Sequence, residues 1–396
     1  MPQTTSSHPR VITIIILFLI CVMVATTDLY IPSLPAISAS LGSSTGRVQL
    51  MVTFYLCGYA ISPLVYGPLS DAYGRRGILL LGLSIAIAGS VLCVFSTKIG
   101  GLLLGRLIQG LGMGAGSAMM RAIFRDAFSG KALATAGSRM GMVSSISLGL
   151  APAFGGLIQQ YGFWRLNFIL ILIAMILLFI VIFRYLPETH VSRNKQVLHP
   201  LSWFRHYFEL LRSPHFVLPT LLSGLAFSGL IVYITTAPFL MQNVLKLTSG
   251  EFGLLAFLIA LAQFSGFHLN SRMLKRFSID QTLFSGIAVM FIAGAVLVGL
   301  SLFDVINTIS IIAMVMLYVI GTGFIFAGSY AKTFTPFGHI IGFAAAAYGM
   351  LQTMVGGVTS LVLSILPSFS QLVIGSALSL LAVLAFVVLF LMNKWP

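Results

Sequence analysis

The stretch 67-GPLSDAYGRR-76 is the most informative part of this chain, because it packs polar residues tightly between two long apolar runs. Two glycines, one acid and two adjacent arginines stand in the spacing G-x-x-x-D-x-x-G-R-R, at Gly67, Asp71, Gly74, Arg75 and Arg76. Glycine favours turns, and a carboxylate beside guanidinium groups favours a compact ion-paired cluster. The pattern therefore predicts a short charged turn that joins two apolar helices.

The composition identifies a lipid bilayer as the solvent of this chain. Of its 396 residues, 58% are apolar and 8% are charged, whereas soluble proteins have about a quarter of their residues charged. A helix needs about 20 apolar residues to cross a membrane. Twelve such runs are predicted, at 11–31, 46–66, 77–96, 100–121, 133–157, 163–186, 215–237, 250–271, 282–303, 306–330, 340–365 and 370–392.

The net charge of +14 would suit a nucleic-acid ligand, but the positions of the charges argue against that class. With both termini placed in the cytoplasm, sixteen of the 22 Lys and Arg fall in cytoplasmic segments and four fall on the other side. This asymmetry is the positive-inside rule of membrane proteins. It predicts an integral protein of the bacterial inner membrane with both termini cytoplasmic, surrounded by lipid and without a nucleic-acid partner.

One long polar connection, residues 187–214, separates six predicted spans from six others. Within it, PLSWFRHYFELL alternates aromatic and charged residues at helical spacing, which predicts a short amphipathic helix on the cytoplasmic surface. We therefore expect an N-terminal six-helix half over 1–186, a linker over 187–214 and a C-terminal six-helix half over 215–396. The basic stretch 270-NSRMLKRF-277 follows span 8 as 67–76 follows span 2, which indicates a parallel repeat.

These features resemble the major facilitator superfamily, a large family of secondary transporters. The stretch 67–76 resembles its loop between helices 2 and 3, and Asp126 in 121-RAIFRDAF-128 matches an acid of the same cluster. The resemblance implies an all-α membrane protein with twelve transmembrane helices in two pseudo-symmetric six-helix halves. It also implies a cytoplasmic gate that latches the halves together and opens during transport, whereas the alternative is a loop that only sets topology. The gate residues would be Gly67, Asp71, Gly74, Arg75, Arg76 and Asp126.

Helix 4 carries a charge inside an apolar run, in 105-GRLIQGLGMGAG-116. Arg106 and Gln109 are three residues apart and therefore lie on one helical face. A charge at that depth normally faces a bundle interior or a water-filled cavity. The pair resembles a helix 4 motif of the superfamily in which the arginine is linked to proton coupling. The alternative is an Arg106 side chain that extends to the periplasmic interface.

Helix 5 carries a stripe of small residues around a proline, in 149-GLAPAFGG-156. Such a surface lets helices approach closely. The stripe resembles the antiporter motif of the superfamily, with Ala151 where glycine is common. This resemblance favours export over uptake, and ordinary helix packing is the alternative. The residues of the motif are Gly141, Gly149, Pro152, Gly155 and Gly156.

Helix 1 ends in 26-TTDLYIPSLPAI-37, where Asp28 is the one acid within the apolar runs of the first half. Low dielectric favours the neutral form of a carboxyl group, so Asp28 could take up and release a proton. This segment, RAIFRDAF and 237-APFLMQ-242 resemble the Bcr/CflA-type drug/proton antiporters. The resemblance assigns proton coupling to Asp28 with Arg106, whereas the alternative places Asp28 at the periplasmic interface.

Arg139 has no match in the family pattern, and it either faces the central cavity or reaches the cytoplasmic surface. If it faces the cavity, it would attract an anionic group of the substrate. Other polar and aromatic residues in the spans are cavity candidates, although such residues also serve in packing and at interfaces. The cavity candidates are Tyr30, Tyr55, Tyr59, Gln109, Arg139, Tyr233, Gln263, Tyr330, Tyr348 and Gln352.

The favoured function is a proton-coupled exporter of small amphipathic compounds, that is, multidrug efflux by alternating access. The alternative is an exporter of one metabolite, such as a siderophore, a carboxylate or an amino acid. An enzyme is not expected, because eight acids in the whole chain leave no His and Asp cluster of the kind that membrane transferases need. Cys21, Cys57 and Cys93 have no metal or redox spacing, so no metal or cofactor is expected beside the proton gradient. The family resemblance favours a monomer.

Overall fold

The computed structural model describes residues 9–128, 130–190, 200–366 and 369–394, and every regular element in these ranges is helical. The first half contains α1 (Pro9–Asp28), α2 (Leu34–Ser40), α3 (Thr45–Tyr73), α4 (Arg75–Phe95), α5 (Ile99–Ala127), α6 (Gly130–Tyr161) and α7 (Trp164–Tyr185). After α8 (Pro200–Arg212), the second half contains α9 (Pro214–Phe239), α10 (Ser249–Leu254), α11 (Ala256–Met273), α12 (Ile279–Leu302), α13 (Thr308–Phe334), α14 (Ile341–Leu363) and α15 (Gln371–Lys394). Short 3-10 segments occur at Ile31–Ser33 and Thr335–Ile340, and a π-helical turn occurs at Leu240–Val244.

Eleven stretches of the described residues are long and apolar enough to cross a membrane, with α10 and α11 together forming one of them. The twelfth long helix, α5, has 29 residues but carries Arg106, Gln109 and several glycines, which lower its mean hydropathy. It packs against both α3 and α4 inside the first half. The predicted fold class, an all-α membrane protein with twelve long helices in two halves, is confirmed.

The two halves use the same helix pairings. In the first half, α5 packs on α3 and α4, and α7 packs on α4 and α1. In the second half, α13 packs on α11 and α12, and α15 packs on α12 and α9. The halves meet along α3 with α14 and along α6 with α10 and α11. This repetition is the pseudo-symmetry of a parallel repeat. The predicted domain boundaries at 186 and 215 stay a prediction.

The bundle has two ends, which differ in structure. The linker face is the end that carries α8, and the opposite face is the end that carries α2. At the opposite face, three amide or hydroxyl groups donate hydrogen bonds from one half to the other. These bonds run from Gln49 Nε2 to the Thr235 carbonyl oxygen (3.0 Å), from Thr53 Oγ1 to Ser360 Oγ (2.9 Å) and from Gln242 Nε2 to the Pro32 carbonyl oxygen (2.9 Å). Together with the helix contacts, they hold the opposite face closed.

The predicted charged turn at 67–76 is wrong in its extent, because α3 continues through Gly67 to Tyr73. Of these residues only Gly74 lies outside a helix, with a φ of 105°, and α4 begins at Arg75. A backbone of this kind favours glycine, which has no Cβ. A Cβ at Gly74 would also collide with the carboxylate of Glu188. The chain therefore reverses within one residue, which places Arg75 against the end of α3.

Helix α8 contacts both halves at the linker face. Pro68 within α3 has no N–H and cannot donate to the carbonyl of Leu64 one turn earlier. The Tyr207 hydroxyl of α8 donates to that carbonyl oxygen at 3.1 Å. The Tyr207 ring also contacts Phe343 at the start of α14, with centroids 5.3 Å apart. Burial raises the pKa of Tyr207, so the phenol keeps its proton and remains a donor.

Candidate functional site: the cavity between the halves

A cavity of about 500 Å³ lies between the two halves. Helices α1, α3, α5 and α6 form one wall, and α9, α10, α11 and α14 form the other. Most of the lining is aliphatic, aromatic or methionine, which is typical of sites for small amphipathic molecules. The polar side chains of the lining are Thr27, Asp28, Tyr55, Tyr59, Ser144, Tyr233, Gln352 and Thr353.

Asp28 is the charged side chain of this lining. It is the last residue of α1 and keeps 7% of its surface exposed. The C-terminus of a helix presents carbonyl oxygens, which disfavour a neighbouring carboxylate. Arg106 attracts Asp28, but the two form no direct ion pair in the part of the chain described. The structure therefore places an unpaired acid on the wall of an apolar cavity.

Arg106 is fully buried behind Asp28. Its guanidinium carbon lies between two rings, 4.3 Å from the centroid of Tyr30 and 4.2 Å from that of Tyr55. Cation–π contacts of this kind partly replace the water that burial removes. Nη1 also donates to the Thr26 carbonyl oxygen at 2.9 Å, one of the last four carbonyls of α1. The side chain thus joins α5 to the end of α1 and does not extend to an interface.

Gln109 continues the polar network away from the cavity. Its Oε1 accepts from Arg106, and its Nε2 donates to Ser90 Oγ in α4 at 2.8 Å. Sequence analysis missed Ser90, because a single hydroxyl residue in an apolar run has no pattern that marks it. It missed Thr26 because this residue contributes a backbone carbonyl oxygen, which every residue has. The network connects α1, α4 and α5, so a change at Asp28 has a polar route into the first half.

The charged residues near Gly74 form a cluster at the linker face with Arg75 at its centre. Arg75 contacts the Asp71 carboxylate at 2.5 Å and the Asp126 carboxylate at 3.2 Å. Its backbone N–H donates to Glu188 Oε1 at 2.8 Å. Asp126 falls beyond the predicted apolar run 100–121 but lies in the last turn of α5, because the helix continues to Ala127. Sequence analysis did not assign Glu188 to this cluster, since its sequence position lies in the linker.

The described bonds of this cluster stay within the first half and the residues directly after α7. Arg76 likewise donates to the Phe183 carbonyl oxygen at the end of α7. A cavity of about 730 Å³ lies between the cluster and α14, and Gly67 is part of its lining. The predicted latch across the halves is therefore not engaged in this structure, in which the opposite face is closed.

The small residues of α6 form its contacts with the second half and with the end of α1. A Cβ at Gly156 would overlap the backbone carbonyl of Ser249 in α10, so this glycine permits the two halves to touch. A Cβ at Gly155 would likewise overlap the backbone carbonyl of Leu29, just after α1 in the same half. Of the remaining motif residues, Gly149 contacts α11, and Gly141 and Pro152 line the cavity.

The predicted cavity residues fall into two groups. Tyr55, Tyr59, Tyr233 and Gln352 line the cavity between the halves. The other six lie elsewhere: Tyr30 and Gln109 pack around Arg106, Gln263 donates to Thr322, Tyr330 and Tyr348 line a separate cavity, and Arg139 is exposed on α6. In the described ranges, no three His, Cys, Asp or Glu side chains gather in a way that could hold a metal ion.

Comparisons with known proteins agree with this architecture. The family model described as Major Facilitator Superfamily matches residues 16–361. The chain is 28% identical over 379 residues to multidrug resistance protein D of Escherichia coli (strain K12), covering 94% of this chain and 93% of that protein. It is 28% identical over 349 residues to a chloramphenicol resistance protein of Pseudomonas aeruginosa, covering 86% and 80%. The fold matches the xylose transporter XylE from E. coli, in a partially occluded inward open conformation, with a TM-score of 0.73, 14% identity and coverage of 98% and 99%. The chain belongs to the major facilitator superfamily, a family of membrane transporters.

Proposed function

We propose that this protein exports small amphipathic compounds from the cytoplasm in exchange for protons, as a monomer in the bacterial inner membrane with both termini cytoplasmic. The observation that carries the proposal is the position of Asp28, an acid on the wall of an apolar cavity between the halves. A carboxylate in such surroundings is costly unless a proton or a cation neutralises it. Proton and substrate therefore compete for one group.

The closed opposite face and the open linker face support one particular stage of the transport cycle. The halves are joined at the opposite face, and a large cavity separates them at the linker face. With the linker face in the cytoplasm, this is the state that admits substrate from inside. Substrate then displaces the proton from Asp28, the halves rock, and a proton from outside releases the substrate.

Arg106 has a positioning role in this proposal. Its guanidinium is held by Thr26 and by the rings of Tyr30 and Tyr55, and it attracts Asp28 without pairing directly with it. Neutralisation of Asp28 removes that attraction. The end of α1 and the network around Gln109 are therefore free to adjust when Asp28 gains or loses its proton.

The names of the relatives support export of drug-like compounds. One is named a multidrug resistance protein and another a chloramphenicol resistance protein. A wide cavity with apolar walls and few polar groups can bind many amphipathic molecules, because apolar contacts are not directional. The same lining gives no reason to expect selection of one polar metabolite.

An exporter of one anionic metabolite is the second candidate. Arg139, which motivated it, is exposed and lies outside the cavity lining. The observation that still favours it is Arg121, which lines the cavity at the linker face and could attract an anion. Transport of an anionic compound that is lost in Arg121→Ala, with cationic and neutral compounds unaffected, would support this candidate.

The proposal is tested in proteoliposomes that contain a pH-sensitive dye, with panels of cationic, neutral and anionic compounds. Wild-type protein should move protons when a compound from the preferred panel is added. Asp28→Asn should abolish that movement while the protein stays folded. Asp304→Asn is the matched control, because Asp304 is an exposed acid in the loop between α12 and α13. Uphill transport retained in Asp28→Asn would defeat the proposed mechanism.

A further inference from the structure

Asn167 is a fully buried polar residue near the start of α7, and the proposed cycle gives it no role. It is the one polar residue of α7 between Arg165 and Arg184. A carboxamide buried in an apolar helix is costly unless it forms hydrogen bonds. Its Nδ2 donates to Ser33 Oγ at 2.8 Å and to the Gly155 carbonyl oxygen at 3.3 Å. Asn167 therefore joins α7 and α6 to the chain that follows α1.

The chain that follows α1 is a short buried segment, residues 29–33, which we call the connection because it leads to α2. Its 3-10 part packs on α6 of the first half and on α9 and α10 of the second half. The Tyr30 ring also contacts the ring of Phe168 in α7, with centroids 5.5 Å apart. The connection is thus held by its own half while it touches the other half.

The second half bonds to the connection through Gln242, in the π-helical turn after α9. Its Nε2 donates to the Pro32 carbonyl oxygen at 2.9 Å. Pro35 has no N–H and so cannot continue the 3-10 pattern of hydrogen bonds to this carbonyl. The Pro32 carbonyl and the Ser33 nitrogen belong to one planar peptide unit. A shift of Ser33 would therefore move the carbonyl relative to Gln242.

We propose that Asn167 is a positioning residue of the transport cycle. By holding Ser33, it places the Pro32 carbonyl where Gln242 can bond to it. Closure of the opposite face therefore depends on Asn167, although Asn167 itself touches only the first half in its described bonds.

The connection also begins directly after Asp28, the last residue of α1. Four residues separate this acid from Pro32. In the proposed cycle, a neutral Asp28 belongs to the state that is closed at the opposite face. With the connection held by Asn167, a change at Asp28 reaches the bond of Gln242, and this part of the inference rests on the proposed function.

The test measures the ratio of molecules closed and open at the opposite face, from distances between spin labels across that face in lipid nanodiscs. Asn167→Leu and Gln242→Leu should each lower this ratio by about fivefold, because each removes a hydrogen bond on which closure depends. Combined, they should lower it by about fivefold and not by the roughly 25-fold of independent effects. Ser33→Ala removes the same bond from its other partner, and it takes the place of Asn167→Leu if that variant does not fold.

Thr53→Val is the matched control, because the bond from Thr53 to Ser360 also joins the halves at the opposite face but does not involve the connection. Combined with Asn167→Leu, it should give the full fall of about 25-fold. The same fall in the pair with Gln242→Leu would overturn the inference. Equal non-additivity in both pairs would also overturn it, since Asn167 would then loosen the whole face. A lower thermal midpoint in Asn167→Leu with an unchanged ratio would show that Asn167 only stabilises the fold.

The link to Asp28 is tested with Asp28→Asn, which imitates the neutral acid. It should raise the closed-to-open ratio by about fivefold or more in the wild-type background, and by less than about twofold in Asn167→Leu. A rise of equal size in both backgrounds would overturn the role of the connection. No rise in the wild-type background, with the non-additivity of Asn167 and Gln242 intact, would keep the role of Asn167 and reject Asp28 as the switch of the proposed function.

Discussion

The opposite face and the linker face of this bundle are built from the same helices, but the halves are joined in different ways. At the opposite face, Gln49 and Thr53 of α3 bond directly to groups of the second half. At the linker face, the bonds of Arg75 remain inside the first half and the residues directly after α7, and α8 is the element that contacts α3 and α14. Direct bonds hold one end closed, whereas the other end depends on a separate helix.

The difference follows from side-chain chemistry. Amides and hydroxyls can bond across an interface inside the membrane without a full charge, so the opposite face can close without the cost of burying ions. The linker face carries the charged cluster, whose bonds stay within the first half and the residues directly after α7, so they leave the large cavity open. A transporter that alternates between two states needs one face that separates while the other closes.

The largest expected effect comes from filling a close contact between the halves at the closed face. Gly156→Val would place side-chain atoms on the Ser249 carbonyl and should oppose closure by about 1–3 kcal/mol. We expect transport to fall by about 5-fold to 150-fold in proteoliposomes. Gly137→Val is the control, because no atom lies within 4 Å of its added Cβ. An equal loss of transport in both variants would show that the contact between Gly156 and Ser249 does not control closure.

The next effect comes from removing hydrogen bonds across the same face. The double variant Gln49→Leu, Thr53→Val deletes two bonds between the halves, each worth about 1 kcal/mol. The population closed at the opposite face should fall by up to about 30-fold relative to the alternative state. Distances between spin labels placed across each face measure this shift. An unchanged distance distribution would mean that helix packing alone holds the face closed.

A smaller effect is expected at the linker face. Tyr207→Phe keeps the ring but removes the bond to the Leu64 carbonyl, which should destabilise this state by about 1 kcal/mol, or roughly fivefold. Because burial raises the pKa of Tyr207, the effect should be constant between about pH 6 and pH 9. The same spin-label distances, recorded at several pH values, measure it.

Pro68 provides the internal control for this prediction. Pro68→Ala restores an N–H that can donate to the Leu64 carbonyl within α3. In that background, Tyr207→Phe should have little effect on the label distances. A full effect of Tyr207→Phe in the Pro68→Ala protein would mean that the hydroxyl acts through some other group.

The smallest effect is expected from the ion pair of the second half at the linker face. Lys332 pairs with Asp280 where α13 ends and α12 begins, and both side chains are partly exposed. Exposed pairs contribute about 0–1 kcal/mol, so Lys332→Met should hardly change the thermal midpoint in nanodiscs. Arg75→Met should lower it more, because Arg75 contacts two carboxylates and is more buried. A larger fall of the thermal midpoint in Lys332→Met than in Arg75→Met would contradict the greater contribution assigned to the Arg75 cluster.

Composition and motif spacing predicted the helical class, the number of long helices and the family, because these depend on apolar runs and on local residue patterns. The joint role of Asp28 and Arg106 in proton coupling stays a prediction, and the surroundings of Arg106 were not predicted. The rings of Tyr30 and Tyr55 come from different parts of the chain, and only the packed structure brings them onto Arg106. Which face of a helix lines a cavity is equally non-local, as Arg139 demonstrates.

The extent of α3 was mispredicted for a related reason. Gly67 and Pro68 normally interrupt a helix, and the sequence offered no reason for the helix to continue through them. The missing donor is supplied from α8, more than a hundred residues later in the chain. The local rule that Gly and Pro interrupt a helix failed here, because the distant residue Tyr207 supplies the hydrogen bond that Pro68 cannot make.

Because of Pro68 in α3, hydration of the Leu64 carbonyl is coupled to movement of α8. When α8 withdraws from the linker face, the Leu64 carbonyl loses its donor from Tyr207. An unpaired carbonyl in apolar surroundings is costly, so it needs another hydrogen-bond donor. Water can take the place of the Tyr207 hydroxyl without further rearrangement of the protein. Wetting of the linker face and withdrawal of α8 are therefore one event.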